Sequence, residues 1–125
     1  MAQKTFNIDA FPQGYFMSWF VTTQAAFTVS ASLSDSSGTY FSGTKTSMNI
    51  EPPLAQGAAN IGGTNLVLNI NIPQSEAILN SINSYNITNP SGNIVGYGYN
   101  ICIEDGTDND FNDVNIALVA WKSKG

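Results

Sequence analysis

Residues 104–113 read EDGTDNDFND and hold Glu104, Asp105, Asp108, Asp110 and Asp113, five of the nine carboxylates in the chain, with Asn109 and Asn112 between them and no cation in the run. Carboxylates about 4 Å apart repel by roughly 4 kcal/mol at an effective dielectric near 20. A compact fold of this stretch therefore needs either protonation or a bound cation. At neutral pH the cation is the better solution, and calcium is the natural one. It takes six to eight oxygens and prefers carboxylates and amide carbonyls, whereas magnesium demands a strict octahedron and keeps its waters.

The stretch is not an EF-hand. Counted from Asp108, the D-x-D-x-N spacing is correct, but Asp113 stands where the glycine belongs and Val119 where the bidentate glutamate belongs. The five carboxylates and the Asn112 amide offer more oxygens than one calcium needs, which allows two adjacent ions with shared carboxylates. The competing reading is a solvated acidic turn. Charge density, the lack of a lysine in the run and an aromatic at its centre all favour a metal, with Phe111 expected to act as an inward anchor that holds the ligands on either side outward.

Several chemistries are closed to this chain. It has no histidine, so imidazole catalysis and His-ligated zinc are excluded within one chain. Positive charge comes only from Lys4, Lys45, Lys122 and Lys124, and a net charge of −5 repels nucleic acid. Cys102 stands alone, without an intrachain disulfide partner, and reads as a small buried apolar residue. The N-terminus MAQKTFNID lacks the apolar segment of a secretory signal, and no run is long enough to span a membrane. The expectation is a soluble cytoplasmic product which, if it acts outside the cell, leaves by a route the sequence does not display.

The elements that must position the acidic run are strands. A length of 125 residues fits one domain, 1–125. Period-two patterns occur at Phe6 and Ile8, over 15–22, and over 27–33, where Phe27, Val29, Ala31 and Leu33 share a face. Shorter signals follow at Tyr40 and Phe41 and over 46–50, and residues 54–63 read as a loop. In 65–71 the leucines and isoleucines alternate with asparagines, which pins the register. Residues 73–82 are ambiguous, since Pro73 and Glu76 suit a first helical turn but little follows, and 85–88 is a short strand. Residues 94–103 and 114–121 are the strands that hold the acidic run at both ends. About nine short strands with turn signals between them predict an all-β, single-domain antiparallel β-sandwich.

The run EDGTDNDFND, followed by an apolar strand, a tryptophan and a terminal glycine, resembles the bacterial two-calcium fucose/mannose-binding lectins of the LecB type. Weaker similarity covers most of the chain, including Tyr40-Phe41-Ser42-Gly43 and Pro73-Gln74-Ser75-Glu76. The resemblance implies two Ca2+ ions side by side, held by Glu104, Asp108, Asp110, Asn112 and Asp113, and both coordinating hydroxyls of one fucose- or mannose-type monosaccharide. It implies that Asp105 hydrogen-bonds the sugar, that Thr22 offers a backbone carbonyl to calcium, and that Thr23 and Gln24 tune sugar preference. It also implies that the terminal carboxylate of Gly125 completes the site of a neighbouring subunit in a homodimer or homotetramer. Expected partners are fucosylated or mannosylated glycans, with no nucleic acid and no membrane insertion.

This chain departs from the pattern in two places. Thr22, Thr23, Gln24 and Ala25 replace an asparagine and small residues, and the ending after the motif is about two residues longer, with Lys122 and Lys124 in it. Those lysines are either counter-charge for the acidic run or a solvated tail. The implied class is a binding module, not an enzyme. Its rivals are a sandwich whose calcium is purely structural, with sugar binding lost or altered, and a metal-dependent hydrolase, which lacks a nucleophile-base pair here.

Overall fold

The computed structural model describes residues 2–106 and 109–125, and these contain nine strands and no helix. They are β1 (Ala2–Asn7), β2 (Phe16–Thr23), β3 (Ala25–Asp35), β4 (Gly38–Ser47), β5 (Ala55–Asn60), β6 (Val67–Ile72), β7 (Leu79–Thr88), β8 (Ile94–Glu104) and β9 (Val114–Trp121). They form a four-stranded sheet in the order β1-β6-β3-β4 and a five-stranded sheet in the order β5-β2-β9-β8-β7, with antiparallel pairing. The expected β-sandwich is the observed one. Alternating side chains explain its core. Val29, Ala31 and Leu33 of β3 and Leu68, Ile70 and Ile72 of β6 face Met17, Trp19 and Val21 of β2, Ile101 and Ile103 of β8, and Ile116 and Leu118 of β9, all buried.

Two segments differ from the sequence expectation. Residues 55–60 form a strand rather than a loop, paired along β2 from Phe16↔Asn60 to Val21↔Ala55. At Gly57 a side chain would collide with the neighbouring strand, since a Cβ there would lie 2.7 Å from the Trp19 ring. The helix left open over 73–82 does not form. Its second half opens β7, which pairs with β8 from Leu79↔Glu104 onward. Both strands lie at sheet edges, where neither face is fully covered and the period-two signal fades. In addition, the signal at Tyr40 and Phe41 belongs to a longer strand, β4, which takes in only the first two residues of the signal over 46–50 and stops before the exposed Met48 and Ile50. No helix is long and apolar enough to cross a membrane.

The β3–β4 turn is tied down by Asp35. Its carboxylate accepts hydrogen bonds from Ser37 N at 2.7 Å, Ser37 Oγ at 2.6 Å, Gly63 N at 3.1 Å and the Tyr40 hydroxyl. Burial alone would raise the Asp35 pKa, but the bonds from Ser37, Tyr40 and Gly63 outweigh it and hold the carboxyl below its ordinary 3.8. A depressed folded pKa contributes stability that is present above the unfolded value and lost as pH falls through the folded one. The Asp35→Asn variant is expected to be less stable than the parent by about 1 kcal/mol at neutral pH, a value discounted for solvent access. Thermal melts at stepped pH should show that gap narrowing below 3.8, and a constant gap would rule out the charge of Asp35 as its source.

Candidate metal and ligand site

β8 and β9 are neighbours with Ile103 opposite Val114, so the described residues of the acidic run, 104–106 and 109–113, lie at the end of a hairpin at one pole of the sandwich. β2 flanks β9 on the other side, with Thr22↔Asn115 and Thr23↔Val114, and a single residue, Gln24, links β2 to β3. The two stretches singled out from the sequence, Thr22 to Gln24 and the acidic run, therefore meet at the same pole. Gln24 N donates to the Asp113 carbonyl at 3.0 Å.

Two carboxylates among the described residues of the acidic run are buried. Glu104, the last residue of β8, is 1% exposed, and Asp113, just before β9, is 6% exposed. Glu104 accepts Gly106 N on Oε2 at 2.9 Å and Phe111 N on Oε1 at 3.2 Å, while Asp113 Oδ2 accepts Asp105 N at 2.8 Å. These bonds curl the chain over its own carboxylates, helped by left-handed backbone at Asn109 and Phe111, with φ of 62° and 54°. The anchor role expected of the Phe111 ring is filled by its main chain. The ring is half-buried and stands apart from the packed core cluster of the described residues, whereas the Phe111 N–H reaches the Glu104 carboxylate.

One oxygen from each of Glu104, Asp110 and Asp113 lies within 4.8 Å of the others. Two oxygens bound to one calcium at 2.3–2.6 Å sit at most about 5 Å apart, so this spacing suits a shared cation. Thr23 Oγ1, on the strand residue opposite Val114, is buried and has no hydrogen-bond partner among the described residues. The three converging carboxylate oxygens are a donor set that fits a hard cation such as calcium. Asn112 is half-buried in the same connection, Asp110 is exposed, and Asp108 lies outside the described residues.

Asp105 is half-buried on the rim, and the exposed Gly106 follows it. Its main chain is fixed by a residue that the sequence did not single out. Ser75, 1% exposed, donates from Oγ to the carbonyls of Asp105 at 2.8 Å and Ala77 at 2.7 Å. A serine in PQSEA carries no signal for that role, because its partner is 30 residues away. Gln24 is half-buried beside the acidic run, but Thr23 is 1% exposed and points inward with Val21 and Trp19.

Gly125 and the two lysines lie elsewhere. β9 carries eight residues away from the acidic pole, about 24 Å at 3.4 Å per residue, before the tail begins. There Lys122 N donates to the Val95 carbonyl at 2.9 Å, and Lys124 Nζ sits 5.1 Å from the centre of the Phe16 ring. The lysines belong to a tail at the far pole and are not counter-charge for the acidic run of their own chain.

The fold and this pole define an all-β sandwich with a carboxylate-lined connection at one end. Solved structures with the same fold, each 17% identical and covering 96% of both chains, include the Chromobacterium violaceum lectin CV2L in complex with alpha-methyl-fucoside (TM-score 0.65), the C-terminal domain of the BC2L-C lectin from Burkholderia cenocepacia (0.66) and the Ralstonia solanacearum high-affinity mannose-binding lectin (0.66). No protein-family model matches the chain, and no curated protein matches it.

Burial pushes the Asp113 carboxyl above its ordinary 3.8, and the nearby Asp105 carboxylate adds to this against the hydrogen bonds from Asp105 N–H and the Glu104 side chain. A raised folded pKa means the native state binds this proton more tightly than the unfolded chain does. The metal-free protein should therefore gain stability as pH falls from neutrality toward 3.8, a window separate from that of Asp35. Melting curves in chelator should show the rise, and both added calcium and Asp113→Asn should flatten it. A melting temperature that falls throughout that window would contradict this electrostatic account.

Proposed function

We propose that this protein is a calcium-dependent lectin, a binding module and not an enzyme, that holds a fucose- or mannose-type monosaccharide at the acidic pole. The observation that carries the reading is the convergence of Glu104, Asp110 and Asp113 at the pole of a fold whose solved neighbours include a fucoside complex and a mannose-binding lectin. Glu104, Asp108, Asp110, Asn112 and Asp113, with the Thr22 carbonyl, would hold two adjacent Ca2+ ions. Bound calcium supplies charge-assisted contacts to neighbouring sugar hydroxyls in place of its own waters.

The chain's residues do the rest. Glu104 and Asp113 form the buried floor, tied to the main chain at Gly106, Phe111 and Asp105. The Asp105 carboxylate accepts from a sugar hydroxyl on the rim, held in position by Ser75. Gln24 on the opposite rim sets preference. A second reading, in which calcium is structural and sugar binding is lost or altered, draws on one observation: Thr23 is buried, so its hydroxyl cannot reach a sugar on the surface.

Retention on mannose- or fucose-bearing resin in calcium, with release by chelator and a loss of at least tenfold in affinity for Asp110→Asn, is the expected result. A calcium-induced rise in melting temperature with no further rise across a monosaccharide panel would establish the structural reading instead. Retention that persists in excess chelator would end both.

Assembly follows from the same reading. Gly125 starts from the far pole, so its carboxylate can complete only a neighbouring subunit's site, and the outer face of the five-stranded sheet exposes Phe20, Tyr85 and Trp121. A homodimer through that face, or a homotetramer of two such dimers, is the assembly this reading expects. Sedimentation should give a dimer or tetramer for the parent and a monomer for Phe20→Asp/Trp121→Asp. A monomeric parent with intact sugar binding would refute the shared site.

A further inference from the structure

We propose that the outer face of the four-stranded sheet carries a second, cation-independent site for a neutral polyhydroxylated ligand of the saccharide class, centred on Asn71. It lies on the sheet that does not bear the acidic connection and does not rest on the reading above.

Strand alternation builds the centre of this face from polar side chains, with Val67 at its edge. β6 sends Leu68, Ile70 and Ile72 into the core and Asn69 and Asn71 outward, and in register beside them stand Gln3 and Thr5 of β1 and Ser30 and Ser32 of β3. Much of the polar surface is consumed by cross-strand bonds. Thr28 and Thr46 hydroxyls meet at 2.7 Å, Ser30 and Thr44 at 2.9 Å, and Thr5 donates to Asn69 Oδ1 at 2.6 Å. Such pairs hold strands together and are a sufficient reason for those residues.

Asn71 breaks the pattern. Its Oδ1 is buried and has no hydrogen-bond partner among the described residues, although it borders a cleft of about 270 Å³ lined by Gln3, Ser30, Ala31, Ser32, Ser42 and Asn69. A buried amide oxygen without a donor is costly, so it marks a place where a donor from outside the chain is received. The lining identifies the donor's class. It holds no ionisable side chain, so a charged ligand would be desolvated there without compensation. It holds no aromatic ring and no large apolar side chain, which removes the surface that a lipid or a flat heterocycle requires.

What remains is a cluster of primary amides and hydroxyls, and these match groups that donate and accept at once, as sugar hydroxyls do. The volume falls just under the roughly 300 Å³ low end of small-molecule pockets, enough for one pyranose ring and little more. Without a metal or a stacking face, the affinity belongs in the millimolar range.

The test uses the full chain in excess chelator, which silences the acidic pole. Titration with methyl α-mannoside, and separately with methyl α-glucoside, is followed through the side-chain amide NMR signals of Gln3, Asn69 and Asn71. Saturable shifts of these signals at millimolar sugar are expected, unchanged by chelator and at least tenfold weaker in Asn71→Leu. Ser42→Val, a surface change that leaves the core intact, should weaken them as well and guards against a folding defect in the first variant. The absence of saturable shifts would mean that water alone fills the cleft. Shifts of equal strength in both variants would place the sugar elsewhere, and either result overturns the proposal.

Discussion

The burial of two carboxylates at one end of the sandwich is the constraint on which the site depends. Glu104 and Asp113 are almost inaccessible, and Asp110 brings a third carboxylate to within 4.8 Å of both. Moving such groups out of water is costly unless hydrogen bonds or a counter-charge compensate. Lys4 donates to the Ile78 carbonyl, Lys45 to those of Asn49 and Pro52, and Lys124 sits over the Phe16 ring. Among the described residues, main-chain N–H groups at Asp105, Gly106 and Phe111 satisfy lone pairs of these carboxylates.

The sandwich makes this arrangement possible by rigidity on both sides. The acidic connection joins two adjacent strands of the five-stranded sheet, so its ends are fixed by ladder hydrogen bonds and by the buried row of Ile101, Ile103, Val114 and Ile116. Beside it, β2 delivers Thr22 and Thr23, and Gln24 clips the Asp113 carbonyl, while Ser75 fixes the other rim. Neighbouring carboxylates in a free loop would spread to relieve their repulsion. Here the framework denies them that freedom, and the proposed cation would relieve the repulsion that results.

The structure also separates the two poles by function. The far end contains the Asp35-centred turn, the Phe11–Tyr99 contact and the C-terminal tail, all explicable as packing and capping. Because β9 links one pole to the other, residues next to the acidic run in sequence end far from it in space. The tail lysines illustrate this: Lys122 and Lys124 follow the motif by nine and eleven residues and are a strand's length from it.

Much of the fold was legible because alternating residues on half-buried strands have no other good solution. The isoleucine-asparagine alternation before Pro73 and the tyrosine-isoleucine alternation before Glu104 each fix a face and a register. The strand over 55–60 was not legible, since the reason for Gly57 in it is the Trp19 ring on another strand. The start of β7 was hidden for a related reason, as an edge strand open on both faces carries no apolar row. At the site, charge density alone announced the acidic run. That Phe111 acts through its N–H, that Thr23 faces the core and that Ser75 holds the rim were decided by the tertiary structure. Composition and local spacing determine which groups are present and what they require, but burial and long-range hydrogen bonds depend on which strands become neighbours, and no stretch of sequence encodes that by itself.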